Sequence, residues 1–252
     1  MSTYDDVLKE LEDSYKQGEI SESAYKEMKQ RYSKLRDEYP SQKAVYAPVN
    51  VRVFGSQEMS SEVLSMAGMG KIQGGIVLKQ IEAAGMLRIL NDVEINGLEC
   101  AGYIRSKGSI RSHGDIELAG AARIRGNVSV NGKLNVAGSF KVSGSLGANE
   151  VKIDGFTRID GSITAERVMI KRESKNVRLP QFWRSKIFGD IVGRDIVELK
   201  DVHVKGIVQG RVVNIGENCK IDGKVYYVDD LLLTDNTKFK ENPIKISLDE
   251  LN

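Results

Sequence analysis

Two histidines and two cysteines are the residues of this 252-residue chain best equipped for chemistry, and their spacing assembles no site. A hydroxyl or thiol nucleophile needs a base within hydrogen-bond reach, and a catalytic zinc needs three protein ligands. His113 and His203 lie 90 residues apart, each on an outward-facing position, and read as solvated surface residues. Cys100 and Cys219 are 119 residues apart with no CxxC partner, on inward positions, as buried thiols in a reducing compartment would be. Gly68, Gly70, Lys71, Gly74 and Gly75 invite a phosphate-loop reading, but Ile72 stands where Ser or Thr must follow the lysine, and the spacing is wrong. The expectation is no catalytic residue, no metal, no cofactor and no small-molecule substrate.

One cluster is suited to binding. From Lys171 to Phe188 the chain reads KRESKNVRLPQFWRSKIF, with six Lys or Arg against one Glu and the only Trp. Lys171, Arg172, Arg178 and Arg184 among Phe182, Trp183 and Phe188 suit an anionic membrane interface or a docking partner. A loop folded over a solenoid face, covering an exposed apolar strip, accounts for the same residues equally well.

These residues must be positioned by a repeat. Gly102, Gly108, Gly114, Gly120, Gly126, Gly132, Gly138 and Gly144 recur every sixth residue. Counting from each glycine, the second and fourth positions between Ile104 and Val142 are apolar at twelve of fourteen places, while the odd positions are mostly polar or charged. That parity is a strand's. A helix is excluded, because six residues at about 100° each would turn successive glycines away from any common face. Hairpins do not fit a repeat of six, since their turns would consume it. A parallel β-helix does, with a hexad per side, inward aliphatic columns, and inward glycines giving room at the corners. Three sides of about 18 residues per coil is the natural reading, and a flattened two-sided coil of about 12 has the same period.

The same grammar continues with slips, from Gly97 to Gly102 and from Gly144 to Gly155. The solenoid is expected over residues 49–228, interrupted at 171–188, with about nine coils and a length of about 40 Å. Residues 1–39 differ in kind, with 17 charged residues and one glycine. Tyr4, Val7, Leu8, Leu11 and Tyr15, then Tyr25, Met28, Tyr32 and Leu35, make two helical stripes, so a helical hairpin is expected there. Residues 40–48 read as a linker. Residues 229–252 read as a C-terminal extension, with Pro243 ending regular pairing.

A net charge of +2 argues against a dominant polyanion such as nucleic acid. Outward positions from 103 to 143 nonetheless carry seven basic and two acidic residues, which a solvated face explains. With no long apolar window and a charged N-terminus, the expected location is cytoplasmic, with a peripheral position at the inner membrane face as an option.

Left-handed hexapeptide acyltransferases share the period of six. Their signature puts an aliphatic residue before the glycine, whereas Lys107, His113, Arg125 and Asn131 stand there in this chain. The stretches VKIDGFTRIDGSITAERVMI and VKGIVQGRVVNIGENCKIDGKVYYVDDLLL, the second the closer, resemble the bactofilins. AGMGKIQGG resembles the opening of longer bactofilins, and DSYKQGEISESAYKEMKQRY resembles a SHOCT-type hairpin. The resemblance implies a right-handed three-sided β-helix that self-assembles without nucleotide and scaffolds cell-shape, envelope or motility machinery. It also implies self-association by end-to-end stacking, with other bactofilin-like chains as further partners. A non-polymerising adaptor, recruiting partners through the hairpin and the basic loop, is the alternative from another class.

Overall fold

Inward Ile, Val and Leu at every second position make each short segment a half-buried strand, and stacking these strands builds the whole molecule. The computed structural model describes residues 51–59, 63–73, 77–172, 185–234 and 237–251, together with the helical Glu12, Lys16, Tyr25, Lys26 and Lys29. Apart from those five, the expected hairpin and linker lie outside the described residues. The rest is a mainly parallel β-solenoid of about ten turns, roughly 45 Å long.

Each coil has three faces. Face A stacks residues 93–95, 110–112, 128–130, 146–147, 163–165, 191–193, 208–210 and 225–227. Face B stacks 64–66, 81–83, 98–100, 116–118, 134–136, 151–153, 168–170, 197–199, 213–215 and 231–233. Face C stacks 70–72, 87–89, 104–106, 122–124, 140–142, 157–159, 185–187 and 202–204, ending at 220–221 and 238–239. The core is a mainly aliphatic column in which Ile81, Leu87, Ile95, Leu134, Ile170 and Ile215, with Phe140, are fully buried. Three sides, not two, is therefore the architecture.

The phase slips have one cause. Between faces A and B most of the regular coils turn through three residues, such as His113, Gly114 and Asp115, but only Asn96 and Gly97, and later Asn149 and Glu150, make that corner in the slipped coils. The coils before the interruption consequently take 17 or 18 residues, as the side-chain bonds from one coil to the next record. Asp92, Asp115 and Asn127 hold corners together by accepting from the N–H groups of Ser109, Lys133 and Ser145 one coil on.

The glycines serve a purpose other than the expected one. At the corner between faces B and C, Gly120 has φ +131, a backbone that other residues strain to adopt, and a Cβ there would overlap the Gly102 carbonyl oxygen. The conflict is with the backbone of the preceding coil, along the axis, and not with side chains crowding the interior.

Two ends differ from expectation. Strand Val51–Met59 runs antiparallel to Val63–Ile72, so the edges of faces B and C at the N-terminal end are covered by a reversed strand. At the other end pairing continues beyond 228 and past Pro243, where Ile244–Lys245 joins Tyr226–Tyr227 in parallel. Proline at 243 precedes the paired residues, so its missing N–H costs no ladder bond.

Candidate assembly surface

Stacking turns single residues into columns. The outward centre of face C carries Lys or Arg on nearly every described rung: Lys71, Arg88, Arg105, Arg123, Lys141, Arg158, Lys186, Lys220 and Lys238 lie in register, with His203 between Lys186 and Lys220. On face B the matching column places Glu82, Glu99 and Glu117 on successive rungs, followed by Asn135 and Lys152. Exposed alanines, Ala84, Ala101, Ala119 and Ala137, lie two residues beyond each of the first four and floor a shallow groove along the corner with face C. Opposite charges are thus segregated onto adjoining faces.

The C-terminal end exposes the core. Leu231 and Leu233 continue the inward columns of Val213 and Ile215, yet Leu233 is 47% exposed and the outward Leu232 57%, because no described strand stacks on them on face B. Among the described residues, 231–233 pair on one edge only. Unpaired backbone and exposed leucine together form an edge ready for another strand.

The basic and aromatic segment divides. Lys171 is the last residue of strand Ile163–Lys171, paired with Asp154, and Arg172 follows it half-buried. Arg178, Phe182, Trp183 and Arg184 lie outside the described residues. Ser185–Ile187 rejoins face C between Arg158–Ile159 and Val202–Val204. Phe188 sits at the opposite edge of that face, its N–H donating to the Ile159 carbonyl at 2.9 Å. Its half-buried ring lies 4.6 Å from the Arg158 guanidinium and 4.5 Å from the Lys205 ammonium. The interruption therefore opens at the corner between faces B and C, whereas Phe188 belongs to the corner between C and A.

Both histidines are held in outward hydrogen-bond networks with carboxylates. His113 Nε2 is 2.6 Å from Glu94 Oε1, and this hydrogen bond lowers the Glu94 pKa. His203 Nε2 is 2.6 Å from Asp222 Oδ2, while Lys220 Nζ lies 2.8 Å from Oδ1. Lys220, and after it His203, keep the Asp222 carboxyl below its usual range. Cys100 is buried, and burial pushes its thiol up to about 11, away from nucleophilic character. Among the described residues no cluster of His, Cys, Asp or Glu is grouped to hold a metal. No described helix is long and apolar enough to cross a membrane.

A regular glycine-cornered solenoid with charge columns and an open end is what the geometry presents. The likeness is to the bactofilins. Residues 100–177 match the model of that family, described as polymer-forming cytoskeletal. No curated protein and no solved structure matches the chain. The bactofilin match takes in Gly102 to Gly144 and VKIDGFTRIDGSITAERVMI, and stops at the interruption. VKGIVQGRVVNIGENCKIDGKVYYVDDLLL, expected to be the closer stretch, lies outside it, although its strands stack in register on the matched coils. The bactofilin match and the solenoid fold support a polymer-forming cytoskeletal protein.

The two charge columns and the open leucine edge were missed in the residues alone. A signal existed in Arg105, Arg123 and Lys141, spaced 18 apart, which is one coil.

Proposed function

We propose that this chain is a nucleotide-independent, self-assembling scaffold that supports cell-shape, envelope or motility machinery by stacking solenoids through their ends. The observation that carries this reading is the C-terminal edge at residues 231–233, where core leucines and one side of the backbone ladder are left open. Joining a second solenoid there buries the inward Leu233, lays a further rung beside the outward Leu232, and supplies partners for the free N–H and C=O groups. Catalysis has no part in this function. Purified protein imaged by negative stain without nucleotide should show filaments or sheets, and monodisperse short rods under the same conditions would overturn the reading.

The adaptor reading has one observation in its favour. Strand Val51–Met59 covers two faces of the N-terminal end with a reversed strand, so growth there cannot continue the parallel ladder. In that reading Lys171, Arg172, Arg178, Phe182, Trp183 and Arg184 recruit a partner or an anionic membrane surface. Co-sedimentation with anionic liposomes, lost in Trp183→Ala, supports the membrane form, and indifference to both lipid and mutation sinks it.

A further inference from the structure

Faces B and C carry opposite charges on the same coils. Glu82 shares its coil with Arg88, Glu99 with Arg105, and Glu117 with Arg123. The three glutamates are exposed and make no ion pair among the described residues. We propose that the glutamate column of face B is the docking site for the basic column of face C on a second copy, so that rods associate side by side.

Spacing is the first argument. Both columns ride on the same kind of ladder, so their charges recur at roughly 4.8 Å in each rod and stay matched along the contact. Shape is the second, since Ala84, Ala101 and Ala119 beside the glutamates leave room for long Arg and Lys side chains to reach across the groove. Charge is the third. Like charges one rung apart repel along face C within a single rod, and a facing row of carboxylates relieves that repulsion. A net charge of only +2 places little overall repulsion between copies.

Symmetry then constrains the contact. A two-fold axis centred on face C would set basic on basic, so the complementary contact sets face B of one copy against face C of the next; made once per pair it is heterologous and leaves a free face B and a free face C for further copies. Lys or Arg recurs on the consecutive rungs from Lys71 to Lys186 of face C, so charge selects which faces meet while the rod ends set the stagger.

This inference rests on the self-assembly reading, and one experiment separates the two. Glu82→Lys/Glu99→Lys/Glu117→Lys and Arg105→Glu/Arg123→Glu are prepared alongside wild type, with circular dichroism to show that each folds. Filament width by negative stain and sedimentation coefficient are then read at about 50 mM and about 500 mM salt, where the Debye length is about 13 Å and about 4 Å. Wild type should form assemblies at least about two rods wide at low salt and single-file ones at high salt. Each variant alone should be single-file at both, and an equimolar mixture should regain the wild-type width, because the reversed faces complement each other. Unchanged width in both variants, or a mixture that stays single-file, overturns the proposal. So does a basic column that binds anionic vesicles in wild type, but not in Arg105→Glu/Arg123→Glu, while rod width stays the same. Loss of end-to-end growth with lateral pairing intact would instead overturn the stacking reading alone.

Discussion

The Ser185 hydroxyl donates to the Gly155 carbonyl at 3.2 Å, across 30 residues of sequence. Gly155 is the last of the corner glycines with positive φ, and the coil that would lay the next corner on it is the one that the interruption opens. Ser185 also accepts from the Thr157 N–H at 3.0 Å. One buried side chain thus takes the place of the missing backbone rung.

Ser185→Ala should therefore cost more than a surface serine would. It strands a carbonyl and an N–H in a buried setting, a loss of about 1–3 kcal/mol. Urea unfolding should show the midpoint falling with the slope unchanged. A midpoint equal to wild type would mean that water replaces the hydroxyl without penalty.

A corner glycine and a glycine within a face should be unequal. Gly120→Ala must adopt a left-handed backbone and displace the coil below, at a cost of at least about 1–3 kcal/mol. At Gly147 an added Cβ meets nothing within 4 Å, so Gly147→Ala should be neutral or stabilising by up to about 1 kcal/mol. Similar melting temperatures for the two variants would contradict the close-approach account.

Acid should act through Asp222. Its carboxyl is held below the ordinary 3.8 by Lys220 first and His203 second. A lowered folded pKa contributes stability that is complete above the unfolded value and disappears as the pH falls through the folded one. Asp222→Asn should accordingly be less stable than wild type at pH 6, and the gap should narrow below about pH 4. A gap that is constant from neutral to acid pH would remove the ion pair as its cause.

Parity made most of the fold legible. Ile104, Ile110, Ile116 and Ile124 declare the inside by alternation alone, and they are buried as expected. Alternation is blind to strand direction, however, so nothing in VRVFGSQEM distinguishes the reversed strand Val51–Met59 from another parallel rung. Columns were harder still, because they depend on corner lengths. Arg88 and Arg105 are neighbours at 17 residues, Arg105 and Arg123 at 18, and Arg158 and Lys186 at 28, so no single period reveals face C. Proximity in sequence does not show that re-entry into the ladder at Ser185–Ile187 carries Phe188 to the corner between faces C and A.

Buried thiols should be inert in the folded chain. Burial raises the Cys100 thiol to about 11, so the reactive thiolate is scarce at pH 8 and shielded as well. Iodoacetamide should label Cys100 in Cys219→Ser at least about 100-fold more slowly than in urea-unfolded protein. Equal rates would place Cys100 in a coil that opens readily.

The open end yields the sharpest contrast. Leu232 and Leu233 lie in the last strand of face B with about half of each side chain exposed, so replacing both with glutamate should leave the melting temperature within a few degrees of wild type. The same change places two carboxylates where a second solenoid would bury leucine, and charge buried without a partner is strongly unfavourable. Leu232→Glu/Leu233→Glu should thus stay folded yet fail to elongate in negative stain. The mirror-image variant Glu82→Lys/Glu99→Lys/Glu117→Lys should elongate in single file. If the leucine variant polymerises normally, growth does not pass through face B of the last coil, and the reversed strand Val51–Met59 becomes the edge through which copies must join.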